Sequence, residues 1–293
     1  MRNILKYINN TYTSMNYKYK LSLCLCVKNE AKYISDFIQH YLKQGIEHFY
    51  IVNNNSTDNL EEVLTSYKDL VSLVTDTRPM DLLNGYSPVN GVATFIQNNY
   101  FTMLKEETEW AIYVDIDEFM FGKNGYTIKS YIDTLGEDIG CVYVLWNIIH
   151  PNIPTFDDFS IKNNLKRLNH DTISRLNYHA SYINDFGKSL FRTAMLTRIS
   201  LHKAKVNGIT INNYGENKNG WLDGRNMIEF SEKKYKETNI TINHYAIRDT
   251  ADYLKKKEQL ALNSAQRNTF LVGVFEIIDL DESLLIVDNT INE

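Results

Sequence analysis

The stretch "WAIYVDIDEFMF" (Trp110–Phe121) ends an apolar run with three carboxylates, Asp115, Asp117 and Glu118. A carboxylate in apolar surroundings is costly unless it is paired, hydrogen-bonded or bound to a metal. Read as a strand, the run puts Asp115 and Asp117, two residues apart, on one face. Two carboxylates on one face repel unless a cation lies between or beside them. Hard oxygen ligands suit Mg²⁺ or Mn²⁺, ions that keep positions open for water and substrate phosphates. An Asp-x-Asp at a strand end is thus a natural handle for a nucleotide diphosphate. By itself the pattern is common by chance, and the three residues could equally be capping or surface carboxylates. Glu118 reads as a group behind the ligands, or paired with a base.

The elements that must position this cluster follow from hydrophobic periodicity. "LSLCLCVK" (Leu21–Lys28), "HFYIVNN" (His48–Asn54), "LVSLVTD" (Leu70–Asp76) and "WAIYVDID" (Trp110–Asp117) read as strands, nearly continuous in apolar residues. Such strands belong to a sheet covered on both faces. Between them, Ile34, Phe37, Ile38, Tyr41 and Leu42 recur at helical spacing, with Gly45 as the stop. "STDNLEEVLTSY" starts a helix that Ser56, Thr57 or Asp58 can cap, and "VATFIQNNYFTMLKEE" is helical in pattern. Strand–helix alternation predicts parallel strands joined by right-handed crossovers. Ligands of such sheets sit beyond the strands' carboxyl ends. Four consecutive ends carry polar groups: Lys28, Asn29 and Glu30; the Asn53–Asp58 run; Asp76 and Arg78; and the acidic cluster.

The second half is less regular. "CVYVLWNIIH" (Cys141–His150), "KSLFRTAMLTRIS" and "ITINHYAI" look like strands. Asp249–Arg267 reads as a helix, and the apolar Phe270–Val287 as a hairpin or a docking segment that could pair with another subunit or dock on the chain's own core. The expected fold class is α/β: a mostly parallel central sheet with helices on both faces, an irregular acceptor-side half, and a C-terminal helix and apolar segment. Residues 1–20 form a polar extension, 21–257 the main domain and 258–293 a C-terminal extension.

Formal net charge is −5 over 293 residues, so the chain is not built to hold a nucleic acid polymer over a broad surface. Cys24, Cys26 and Cys141 show neither a disulfide framework nor zinc spacing, and read as buried reduced thiols. No stretch is apolar enough for a signal peptide or membrane span, which predicts a cytoplasmic or other reducing compartment.

Four blocks carry a family resemblance: Cys26–Asn59, Phe95–Phe121, "GKSLFRTAMLTRISLHKAKV" (Gly187–Val206) and "INHYAIRDTADYLKKK" (Ile242–Lys257). In this order they resemble glycosyltransferases of the GT-A fold, within the family 2-like and family 92-like group. The resemblance implies that Lys28, Asn29, Glu30, Asn53, Asn55, Ser56 and Asp58 line the donor nucleotide. Asp115 would face ribose or metal, Asp117 would hold the metal, and His244 would complete the Mn²⁺ (or Mg²⁺) shell. His244 reads otherwise as a satisfied core histidine. His202 matches a family histidine that follows the Lys-Ser-rich strand. Lys188, Arg192 and Arg78 suit a diphosphate's charge, or are plain surface cations. An inverting enzyme also needs a general base near the acceptor hydroxyl; Asp223 (beside Trp221), Asp185 and Glu216 are the candidates. The implied activity is sugar transfer from a nucleotide-diphosphate sugar, most often a UDP-sugar, to a hydroxyl acceptor. A non-catalytic sugar-binding protein on this fold is one alternative. A sugar nucleotidyltransferase is another, but its glycine-rich phosphate loop is replaced here by Lys-Asn-Glu.

Overall fold

The computed structural model describes residues 16–78, 92–151, 160–161, 165–176, 186–216, 231–262 and 269–292. The first half alternates β1 (Tyr19–Val27), α1 (Ala31–Lys43), β2 (His48–Asn53), α2 (Leu60–Leu64), β3 (Val71–Thr75), α3 (Val92–Glu107) and β4 (Thr108–Tyr113). Then follow β5 (Glu118–Gly122), α4 (Ile128–Ile132), β6 (Ile139–Ile148), β7 (Lys166–Leu168), β8 (Gly187–Arg192), β9 (Leu196–Ile199), β10 (Ala204–Val206), β11 (Ile209–Asn212) and β12 (Ile240–His244). A short helix Glu232–Glu237 precedes β12, and helices Thr250–Leu262 and Thr269–Ile278 and strand β13 (Leu285–Val287) follow it.

Nine strands form one sheet in the order β3-β2-β1-β4-β8-β6-β12-β5, with β11 also on β6. The β3-β2-β1-β4 part is parallel. β6, β11 and β12 run together, and β8 and β5 run against their neighbours. This is the expected α/β class, with a mixed second half. One edge therefore collects the carboxyl ends of β1, β2, β3, β4, β6 and β12 and the amino ends of β5 and β8.

Burial explains the layers. Leu21, Leu23, Leu25 and Val27 of β1 pack with Ile34, Phe37, Ile38 and Tyr41 of α1 on one face. Cys24 and Cys26 point the other way, into a cluster with Phe95, Ile96, Tyr100 and Leu104 of α3. Each large side chain so removed from water contributes roughly 1.5–3 kcal/mol. The three cysteines are free and buried. Gly45 ends α1 at φ +88°, a left-handed geometry that favours glycine.

Three elements differ from the sequence reading. The fourth strand stops at Tyr113, and Val114–Asp117 turn before β5 begins. "KSLFRTAMLTRIS" is two strands broken by a 3₁₀ turn at Thr193–Met195. The apolar C-terminus docks on the chain's own core, one of the readings the sequence left open, but as a helix and then a strand that pairs antiparallel with β7, not as a hairpin. Val274, Ile277, Ile278 and Leu285 enter the chain's own core. Helix Thr250–Leu262 begins as expected; residues 263–267, the end of the expected helix, lie outside the described residues.

Candidate active site at the carboxyl edge of the sheet

The acidic cluster is a turn, not a strand face. It is built by capping: the Asp115 N–H donates to Glu118 Oε2 at 2.7 Å, and the Glu118 N–H donates to the Asp115 carbonyl at 3.1 Å. Glu118, read from the sequence as a group behind the ligands, is turned inward and fully buried. Its exit strand is braced by α1. The Tyr41 hydroxyl donates to the Glu118 carbonyl at 2.9 Å and accepts from the Met120 N–H at 2.9 Å. His40 Nε2–H donates to the Met120 carbonyl at 2.8 Å.

Strand register then delivers the partners. In the β12–β5 pair, His244 stands opposite Glu118, and the Tyr245 N–H donates to the Asp117 carbonyl at 2.8 Å. His244 Nε2 consequently lies 3.5 Å from Asp117 Oδ2. Trp146 of β6 backs the imidazole, ring centroids 4.3 Å apart, and His202 lies against the same indole at 5.2 Å. Because β8 runs antiparallel between β4 and β6, its first residues arrive at the acidic turn. Gly187 permits this: a Cβ there would sit 2.0 Å from the Val144 carbonyl oxygen. Lys188 follows, fully buried, with Nζ 2.7 Å from Asp115 Oδ2 and 3.4 Å from Glu118 Oε2.

Electrostatics separates the three carboxyls. Burial opposes ionisation of Asp117, but His244, Lys256 and Arg248 outweigh it and hold the group well below the usual carboxylate range. Burial pushes Glu118 far up, helped by its acidic neighbours and resisted by Lys188. The Lys188 ammonium, which burial disfavours, is kept charged chiefly by Asp115 and Glu118.

The other predicted residues divide by position. Lys28 is exposed just past β1. Asn29 (φ +58°) donates from its N–H to Ser56 Oγ and accepts from the Thr57 N–H on Oδ1, at 2.9 and 2.7 Å. Asp58 accepts from the Ala31 and Leu60 N–H groups, at 2.9 and 3.3 Å, serving the starts of α1 and α2 together. These bonds brace the first two strand-end loops against each other, with Asn55 exposed at φ +55°. Asn53 is buried, and both its amide atoms are used within the chain, by Glu61 and Ser56. Arg78 lies on Asp76, with Nε 2.8 Å from Oδ1, and stacks its guanidinium over Phe95. Glu30 pairs with Arg248 at 2.8 Å, and Arg248 covers the Tyr33 ring at 4.1 Å.

Two candidates stand apart from this edge. Arg192 is at the far end of β8, opposite Trp110, and pairs with Glu109 at 2.9 Å. Glu216 accepts from Asn212 Nδ2 at 2.9 Å in the turn after β11. Asn212 pairs with Tyr143, five residues and roughly 16 Å before the end of β6. Asp185 and Asp223, with Trp221, lie outside the described residues. The sequence reading missed Arg248 and Lys256 as neighbours of Asp117, although both lie in the block that carries the resemblance. It also missed Trp146, for which a lone aromatic in a strand offers no signal.

For a divalent ion, Asp117 and His244 fit: an oxygen and a nitrogen donor converge, and the oxygen is held ionised. Among the described residues, no group of three or more His, Cys, Asp or Glu side chains is arranged to hold a metal by itself. Also among the described residues, no helix is long and apolar enough to cross a membrane.

The mixed α/β sheet with the acidic turn at its carboxyl edge is the fold class that the resemblance to GT-A glycosyltransferases implied. Residues 19–269 match the profile of glycosyltransferase family 92, and the chain belongs to that family. A family 92 protein of Oryza sativa subsp. japonica is 24% identical over 113 residues, which is 38% of this chain and 18% of that relative's length. Among solved structures, S. aureus TarS 1-349 matches with 14% identity and a TM-score of 0.39, over 88% of this chain and 69% of that one. Its complex with UDP-GlcNAc matches with 18% identity and a TM-score of 0.36, over 60% and 46%. A mannosyltransferase of Pyrobaculum calidifontis, in complex with GDP-Man and Mn²⁺, matches with 13% identity and a TM-score of 0.33, over 60% and 45%.

Proposed function

We propose that the chain is a metal-dependent glycosyltransferase, moving a sugar from a nucleotide-diphosphate sugar, UDP-sugars first, to a hydroxyl acceptor with inversion. The observation that carries this reading is the approach of His244 Nε2 to Asp117 Oδ2, 3.5 Å apart, at the ligand-binding edge of a family 92 chain. Asp117 and His244 would hold Mn²⁺ or Mg²⁺, and the ion would supply charge stabilisation for the leaving nucleoside diphosphate. The chain's own residues do the rest. Arg248 and Lys256 keep Asp117 anionic. The braced loops Asn29–Glu30 and Asn53–Asp58 form a rigid wall for the nucleotide. Rigid placement of the reacting groups is itself a large part of catalysis. The base that takes the acceptor's proton belongs to Asp223 or Asp185 in this reading. The turn after β1 is Lys-Asn-Glu without glycine, which disfavours a nucleotidyltransferase.

A panel of nucleotide sugars assayed for Mn²⁺-dependent hydrolysis and transfer, with Asp117→Ala as control, tests the proposal. Turnover of one donor by the intact protein and its loss in the control are expected. No binding or turnover of any common donor would refute it.

A further inference from the structure

Lys188 is the most deeply buried cation at the site, and it has no freedom to reach a ligand. An ammonium carries three donors. Nζ lies 2.7 Å from Asp115 Oδ2, 2.9 Å from the Leu201 carbonyl oxygen and 3.4 Å from Glu118 Oε2. The partners come from three places: the turn after β4, the start of β5 and the turn after β9. The Tyr113 ring closes over it, its centroid 5.0 Å from Nζ. Two hydrogen bonds and the ion pair with Glu118 all turn inward, and with its side chain fully buried the ammonium is not presented to a diphosphate. The pairing also treats the two aspartates unequally. Asp115 gives Oδ2 to a charge-assisted hydrogen bond from a buried ammonium, which leaves it only Oδ1 for an ion and sets a positive charge 2.7 Å from that carboxylate, so a second cation is disfavoured there. Asp117 faces His244.

We propose that Lys188 is a positioning residue for the acidic turn: it orients and neutralises Asp115, so that direct hold on the divalent ion falls to Asp117 and His244. It also ties the acidic turn to the Leu201–His202 turn, whose imidazole packs on Trp146. This assignment rests on the glycosyltransfer reading above.

The test is Mn²⁺ binding without donor, followed by electron paramagnetic resonance of free Mn²⁺, on the full chain and four variants. Asp117→Asn is expected to weaken binding at least 30-fold, and Asp115→Asn to change it less than 3-fold while lowering kcat at least 10-fold. Lys188→Met frees Asp115 to join the ion, so Mn²⁺ binding should tighten at least 3-fold while kcat falls. The gain should vanish in the double variant Lys188→Met/Asp115→Asn. A residue that merely supports the fold would weaken binding instead, and that result overturns the assignment. If Lys188→Met does not fold, the two aspartate variants decide: equal Mn²⁺ loss in both, with an active wild type, overturns the assignment alone. A wild type that neither binds Mn²⁺ nor turns over any donor overturns the glycosyltransfer reading and this assignment with it.

Discussion

Arg167 and Lys188 are each buried between two carboxylates, and the two clusters are finished differently. Near the C-terminus, Arg167 sends Nε to Asp288 at 2.5 Å, Nη2 to Glu232 at 2.6 Å and Nη1 to Glu232 and the Leu168 carbonyl at 3.1 and 2.9 Å. The guanidinium also lies 3.9 Å from the Tyr235 ring centroid. Both carboxylates are nearly enclosed, with side chains 12% and 10% exposed. At the acidic turn, Lys188 meets Asp115, whose side chain is 34% exposed, and Glu118, whose Oε1 has no hydrogen-bond partner. A third carboxylate, Asp117, stands beside them. The first cluster closes on itself and ties β13 to β7 and the Glu232–Glu237 helix. The second leaves anionic groups in excess at the carboxyl edge of the sheet. A planar fork can satisfy two carboxylates at once, whereas an ammonium satisfies points. The difference marks which cluster maintains the fold and which is left with something to bind.

That contrast can be broken most forcefully at Arg167. Arg167→Ala leaves two buried carboxylates without their cation, a loss of about 3–5 kcal/mol that would lower the melting temperature by roughly 10 °C. Activity per folded molecule should stay near wild type; calorimetry and turnover on the same sample check it. Equal collapse of activity at temperatures where the variant is folded would make this cluster part of the site. Asp117→Asn is the mirror experiment. Mn²⁺-dependent turnover should fall about 100-fold, near 2.7 kcal/mol, while the melting temperature falls far less than in Arg167→Ala, because the amide keeps the shape of the turn and only the favourable charge contacts of Asp117 are lost. A parallel drop in melting temperature would make the acidic turn a structural cluster like the other.

Acid should reach the brace before it reaches either cluster. Burial lowers His40 to about 4 and, with the nearby Arg167 charge, His170 to about 3. Both are neutral in the fold but take up a proton near pH 6.5 when unfolded. Their contribution is therefore complete above pH 6.5 and is lost as pH falls towards those folded values. At pH 5 the His40 share amounts to about 2 kcal/mol. Denaturant titrations at pH 7.5 and pH 5 should show it, and His40→Gln should shrink the difference. An unchanged midpoint between the two pH values would refute the assignment. The smallest effect is expected at Arg192, which pairs with Glu109 at the opposite edge and is partly exposed. Arg192→Ala should cost less than about 1 kcal/mol and leave the donor KM unchanged. A raised KM would bring that edge into the site.

Much of this was legible before any coordinates. β1, α1, β2, β3, α3 and β6 follow from apolar periodicity, because a two-sided sheet demands continuous apolar strands and each cover helix a periodic stripe. The acidic cluster announced itself by cost. What remained hidden were pairings between residues far apart in the chain. Glu30 reads as a ligand-facing carboxylate until Arg248, 218 positions on, is placed against it. Arg192 and Lys188 look alike on one strand, yet antiparallel β8 carries them to opposite edges. The C-terminal apolar run has the same composition whether it forms a hairpin or, as here, a helix and a strand on β7.

The sequence alone determined that a carboxylate cluster ends a buried strand, that polar groups gather at four consecutive strand ends, and that a late histidine is available. Only the tertiary structure decided how these divide: Asp115 to Lys188, Asp117 to His244, Glu118 to the interior. The reason is physical. Local patterns record what each residue costs to bury. Which counter-charge meets that cost depends on strand direction and register, and those are set by the packing of the whole sheet.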